Sequence, residues 1–154
     1  MFSVLTTESL QSSTLAYPFY HGRRYHAYTD GQYYAPNDEQ EQERMNLQFA
    51  AWMIRTQGKL FHAPVPRPKK VLDLGTGTGK WAEYMGEEHP QAEIIGTDLS
   101  PIQTTWVPAN VRFEIDNAEE SWTWKENTFD LIHSSQMLSG CISDVPRYFR
   151  QAFQ

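Results

Sequence analysis

Apolar positions along this chain follow two periods, and the period changes from segment to segment. Val71 to Leu74 is a short apolar run, which reads as a buried strand. It stops in a turn with glycine at every second position, Gly75, Gly77 and Gly79. A helical pattern follows, with Trp81 and Met85 four apart and Tyr84 beside them. Upstream, Met45, Phe49, Trp52 and Met53 repeat at helical spacing. There Asn37 is the expected cap, Gln40 would complete a capping box, Glu39 and Glu41 suit the positive helix start, and Gly58 ends the run.

Downstream, Glu93 to Asp98 is a second strand ending in an acid. Pro101 to Val107 allows a short helix, which Pro108 terminates. Val111 to Ile115 alternates apolar and polar residues as a third strand, and Phe129 to His133 is a fourth. Val145, Tyr148 and Phe149 place a last helix between Ile142 and Gln154, kinked at Pro146.

Strands alternating with helices predict an α/β fold. Residues 1–24 read as a flexible tail, since Met1 to Leu15 is rich in Ser and Thr with little periodicity. Tyr17 to Tyr34 is dense in aromatics, which either pack on the domain or cover a ligand. Residues 25–68 form an N-terminal helical and aromatic cap with its linker, where Pro64, Pro66 and Pro68 stiffen the approach to the first strand. Residues 69–154 form the α/β domain that these strands and helices build.

Strand, glycine turn, helix is how an α/β sheet presents a nucleotide, because glycines let the backbone approach the ligand and the helix start offers free N–H groups. A phosphate-gripping loop would need glycine at 74 and Ser or Thr at 81, where Leu74 and Trp81 stand. The dinucleotide fingerprint G-x-G-x-x-G differs from the G-x-G-x-G found here. That spacing, preceded by Asp73, is the one used by S-adenosylmethionine (SAM) methyltransferases of the Rossmann-like class. A turn that only connects a strand to a helix is the plainer alternative.

Asp98, at a strand tip about twenty residues past the glycines, is the candidate acceptor for ribose hydroxyls. An exposed Asp before Ser100-Pro101 is its alternative. Asp116 and Asn117 are candidates to read an adenine edge, and an Asx-type turn explains the same residues without a ligand. Trp122 and Trp124 either shield the adenine or cover the sheet. His133, at the tip of strand four, is the candidate general base, unless it satisfies local backbone.

The chain has 154 residues and a net charge of −6, with no broad basic surface expected for nucleic acid. One cysteine, Cys141, excludes an internal disulfide framework and fits a reducing compartment. No apolar run approaches a membrane span, and the N-terminus carries no secretory signal pattern. An intracellular protein without membrane contact is expected. No metal-ligand spacing or nucleophile elbow occurs.

Four blocks carry a family resemblance: Tyr33 to Glu39, Leu72 to Gly79, Gly96 to Gln103 and Phe113 to Asp116. The chain resembles a class I SAM-dependent methyltransferase, and more narrowly the fungal LaeA-like methyltransferases associated with secondary metabolism. The resemblance implies SAM as cofactor and a methyl acceptor that is a small metabolite or a protein. It implies a cofactor site of Asp73, Gly75, Thr76, Gly77, Gly79, Asp98, Leu99, Asp116, Asn117 and Ala118, with Tyr25 to Phe61 closing over it.

Two departures touch the acceptor side: Ser134-Ser135-Gln136 stands where a basic residue is common, and Gln48-Phe49 where histidines are paired. Complete domains of the class have seven strands. Here strands one to four would pair in the order 3-2-1-4, with strand four at an edge and Leu131 and Ile132 lacking a neighbour. The chain thus reads as a C-terminally truncated, incomplete three-layer sandwich whose strand-four edge a protein partner could cover. Nuclear rather than cytoplasmic location is implied only by the family. A truncated, non-catalytic SAM-binding or scaffold protein is the alternative function, and the glycine spacing disfavours a dinucleotide oxidoreductase.

Overall fold

The computed structural model describes residues 15–29, 32–138 and 141–153. In chain order the elements are β1 (Phe19–Tyr20), β2 (Arg23–Arg24), α1 (Glu39–Arg55), β3 (Lys70–Leu74), α2 (Lys80–Glu88), β4 (Glu93–Asp98), β5 (Val111–Ile115), β6 (Leu131–Ser134) and α3 (Val145–Ala152). β3 to β6 form one parallel sheet in the order β5-β4-β3-β6, the 3-2-1-4 order expected.

Parallel strands are buried on both faces, so their alternating side chains build two cores. On one face Val71, Ile94, Val111 and Leu131 pack with Trp81, Ala82 and Met85 of α2, and Phe49 and Met53 of α1 lean on that layer. On the other, Leu72, Leu74 and Ile95 pack with Ala118, Ile142 and Tyr148, against Trp122, Trp124, Phe129 and Ile132. The two tryptophans therefore cover the sheet, with rings 5.9 Å apart and edge to face.

Several local expectations are corrected. The α1 cap is Asp38, whose carboxylate accepts the Glu41 N–H at 3.1 Å. Asn37 is instead buried, donating to Ser100 Oγ at 3.2 Å and accepting from Arg24 Nε at 3.0 Å. α1 ends at Arg55, and the Gly58 N–H returns to the Met53 carbonyl in a Schellman closure. Residues 101–107 form no helix. Gln103 uses its amide to bind the Gly77 and Ser100 carbonyls, and the Trp106 N–H turns to Thr104 Oγ1.

Pro146 lies in the first turn of α3, where no intrahelical N–H is needed, so it does not kink the helix. The fourth strand begins at Leu131, because Asp130 turns aside to accept the Lys69 and Lys70 N–H groups at 2.8 and 2.9 Å.

Residues 1–14 of the expected tail lie outside the described residues. Within 15–24 the chain is folded: β1 pairs antiparallel with β2, and Arg23 grips the cap residue Asp38 with two hydrogen bonds. Among the described residues β6 pairs only with β3. Its open side is backbone, since Leu131 is buried and Ile132 packs into the second core, so the apolar edge expected there is not exposed.

Candidate functional site

A cleft opens over the C-terminal ends of the parallel strands, the end of an α/β sheet where ligands bind. Its floor is the glycine turn after β3, its far wall is α1, and its sides are the loops after β4, β5 and β6. Gly75, Gly77 and Gly79 have φ of 65°, 57° and 81°. At Gly75 a Cβ would lie 2.2 Å from Met137 Sδ, so the turn admits close neighbours only because it lacks side chains. Gly79 differs from the other two. It does not reach the cleft but starts α2, and its missing Cβ makes room for Phe113.

The C-terminal ends of β3, β4 and β5 each bring one acid to the cleft. Asp73, on β3, accepts from Thr76 Oγ1 at 2.6 Å through one oxygen and from His133 Nδ1 at 2.7 Å through the other. Asp98, ending β4, accepts the Gly77 N–H at 2.8 Å and the Ser100 N–H at 3.0 Å. The carboxylate is half-buried at the cleft wall, and desolvation pushes its pKa up to about 6 although the two N–H groups oppose the shift. Asp116, just past β5, accepts the Asn117 N–H at 2.9 Å, and burial raises its pKa as well.

The backbone ties these tips together. The Thr76 N–H donates to Thr97 O, and the Asp116 N–H to Asp98 O.

His133 stands beside Asp73 because β3 and β6 are parallel neighbours in that register. The Trp81 ring stacks on the imidazole at 3.8 Å with an interplanar angle of 1°. Across the cleft, α1 contributes Met45, Phe49 and Trp52. It is latched at two points, Thr78 Oγ1 to Asn46 Oδ1 and Gln48 Nε2 to Gln136 Oε1, both at 2.7 Å. The two departures from the family pattern thus meet each other, and Arg44, held by Glu41, also donates to Gln48.

Of the expected cofactor residues, Asp73, Gly75, Thr76, Gly77, Asp98, Leu99, Asp116, Asn117 and Ala118 line this one cleft. Asn117 is 6% exposed, and its side chain is already engaged. Its Oδ1 accepts the Glu119 N–H, the Asx turn weighed as its alternative, and also accepts from Gln32. Gln32, Tyr33 and Met45, from the segment expected to close over the cofactor, line the cleft too, as does Met137, which no expectation covered. Burial pushes the Tyr33 pKa up to about 12. Met45 left a local signal on the helical stripe with Phe49 and Trp52, and Tyr33 in the aromatic run, whereas Gln32 and Met137 left none.

A family profile described as "Methyltransferase domain" matches residues 36–154. Methyltransferase pytC of Aspergillus terreus is 48% identical over 147 residues, covering 94% of this chain and 45% of the relative. The secondary metabolism regulator laeA of Aspergillus flavus is 41% identical over 140 residues, 88% of this chain and 38% of the relative. Protein-methionine methyltransferase laeA of Emericella nidulans is 38% identical over 134 residues, 86% and 36%.

The chain thus spans less than half the length of these relatives. Among solved structures, a Haloferax volcanii methyltransferase in complex with the Trm112 activator shares the fold. Its TM-score is 0.51 at 17% identity, over 64% of this chain and 44% of that one. Among the described residues no helix is long and apolar enough to cross a membrane.

Proposed function

The chain belongs to the methyltransferase-domain family, and from that premise we propose that it binds S-adenosylmethionine and serves in methyl transfer to a small metabolite or protein acceptor in fungal secondary metabolism or its regulation. The observation that carries the reading is the convergence of Asp73, Asp98 and Asp116 on one cleft beside the glycine turn. SAM presents an ammonium, a ribose diol and an exocyclic amine, all donors, and three carboxylates are acceptor-only groups when ionised. The glycine turn adds backbone that can be approached without side-chain obstruction. The donor set fits.

When bound, SAM supplies a methyl group on a sulfonium, whose displacement needs an aligned nucleophile. In this reading Asp98 holds the ribose hydroxyls and Asp116 accepts from the adenine amine. Asp73, fixed by Thr76, accepts the His133 Nδ1–H and so leaves the imidazole lone pair on Nε2. That nitrogen would then be free to take the proton of an acceptor O–H or N–H, the bound SAM supplying the methyl group. Met45, Phe49 and Trp52 give the acceptor side an apolar wall.

A second reading is a SAM-binding protein without turnover that pairs with a protein partner along β6, which among the described residues pairs only with β3. The single cysteine supports an intracellular place, cytoplasmic or nuclear.

Calorimetric titration with S-adenosylhomocysteine, beside an Asp98→Ala control, tests the cofactor reading. Micromolar binding that the control loses supports it. A folded chain that binds nothing overturns it for this chain and leaves the partner-binding reading.

A further inference from the structure

The corner of the cleft where β5 ends is occupied by the protein itself. Gln32 Nε2 donates to Asn117 Oδ1 at 3.0 Å, and Asn117 Nδ2 donates back to Gln32 Oε1 at 2.8 Å. This is a closed, reciprocal amide pair between residues 85 positions apart. Both side chains lie on the cleft wall, and Gln32 comes from the segment before residue 36, ahead of the family match.

A primary amide and the edge of adenine show the same pattern, one N–H donor beside one acceptor. For that reason Asn and Gln bind adenine in bidentate fashion in other settings. A side chain paired with a second amide cannot also pair with a base, so the two partners exclude each other at Asn117.

We propose that Gln32 is a built-in competitor for the adenine edge: its amide holds Asn117 in the donor–acceptor pattern a 6-aminopurine would present, and ligand binding exchanges one for the other. This rests on the SAM reading above. The exchange is nearly balanced, because two hydrogen bonds break at Asn117 and two re-form. Gln32 keeps a partner when it leaves, since Nε2 also donates to Glu119 Oε2 at 2.9 Å.

Glu119 is itself fixed through its other oxygen by the Ser143 hydroxyl and the Asp144 N–H. The displaced amide therefore has an acceptor that stays in place. A competitor of this kind lowers apparent affinity by the fraction of molecules in which the site is closed. It also raises selectivity on the N7 edge, where a 6-oxopurine offers two acceptors and no donor with which to replace the Gln32 amide.

The test is calorimetric titration of the wild-type chain and Gln32→Ala with S-adenosylhomocysteine. Loss of the competitor should tighten binding about five-fold, the worth of one net hydrogen bond. A merely structural role for Gln32 moves affinity the other way, since a loosened Asn117 binds more weakly. Binding by wild type that is equal or weaker in a folded Gln32→Ala overturns the competition and leaves the cofactor reading standing. Absence of binding in both proteins removes the cofactor reading and the competition with it.

Should Gln32→Ala fail to fold, the side-chain amide resonances of labelled wild-type protein serve instead. At saturating S-adenosylhomocysteine the Gln32 amide should shift and exchange faster with solvent. A Gln32 amide that stays in place while the ligand binds overturns the proposal.

Discussion

Asp73 and His133 sit opposite one another in the β3–β6 register, and the carboxylate accepts the imidazole Nδ1–H at 2.7 Å. Two parallel strands set this pair, so its geometry needs no loop to hold it. Asp73 is almost wholly buried, and Trp81 lies flat against the imidazole. One ring nitrogen is thereby committed to the sheet and the other is left to the cleft. A carboxylate that orients an imidazole is a common way to fix a general base.

If His133 is that base, His133→Ala should lower methyl transfer to a hydroxyl or amine acceptor by about 10²- to 10⁴-fold. Affinity for S-adenosylhomocysteine should stay within about two-fold, since the ring is absent from the ribose and adenine corners. Steady-state turnover and a titration on the same preparation separate the two effects. Unchanged turnover would remove His133 from the chemistry. A thioether acceptor, which has no proton to lose, should be indifferent to the substitution.

Asp98 gives the cleft a pH dependence. Burial raises its pKa to about 6 in the folded chain, above its ordinary carboxylate value. Because the folded pKa is the higher one, this group lowers folding stability as pH rises from about 4 to 6, the reverse of a salt-bridged acid. Ligand binding has the opposite slope, because only the ionised form is acceptor-only. S-Adenosylhomocysteine should therefore bind about ten-fold more weakly at pH 5 than at pH 8. A flat affinity across that range would mean that Asp98 does not meet the ligand as a carboxylate.

Much of this site was legible in the sequence because its residues sit at strand ends, and strand ends are marked locally. An apolar run followed by Gly75, Gly77 and Gly79 located the turn, and acids closing the next two strands located Asp98 and Asp116. What period and motif could not show was anything made by two distant segments. The Gln32–Asn117 pair bridges 85 positions, and the Gln48–Gln136 latch bridges 88. No local pattern encodes either.

The α1 cap was misread by one residue because Asn37 and Asp38 are both good caps. Asn37 was drawn inward by Arg24 and Ser100, which left Asp38 to the helix. Residues 101–107 had helical length but lost their helix to the Gln103 contacts with the glycine turn.

Asp38 also joins the hairpin to α1, and this can be measured. Arg23 beside it holds its carboxyl well below the usual carboxylate range, with the Glu41 N–H assisting. A depressed pKa means that the contribution is present above about pH 4 and is lost as pH falls below it. Asp38→Ala should cost about 1 kcal/mol at neutral pH through the lost cap. Urea midpoints at pH 7 and pH 3 should show the difference between wild type and variant shrinking in acid. A constant difference would assign the effect to packing rather than to the charged cap.

Gly79 and Gly58 offer a matched pair, because both adopt a left-handed backbone, with φ of 81° and 79°. A Cβ costs roughly 1–2 kcal/mol in that region at either position. At Gly58 nothing lies within 4 Å of the added atom, so Gly58→Ala should lose about that amount and no more. At Gly79 the Cβ would fall 2.5 Å from Phe113 Cζ, in a ring packed beneath the glycine turn. Overpacking of this sort adds about 1–3 kcal/mol. Gly79→Ala should therefore be the more destabilising by a clear margin in chemical denaturation. Its ring displacement should also weaken S-adenosylhomocysteine binding, although Gly79 itself does not face the cleft. Equal losses at the two positions would show that Phe113 gives way freely, and that the third glycine serves the backbone angle alone.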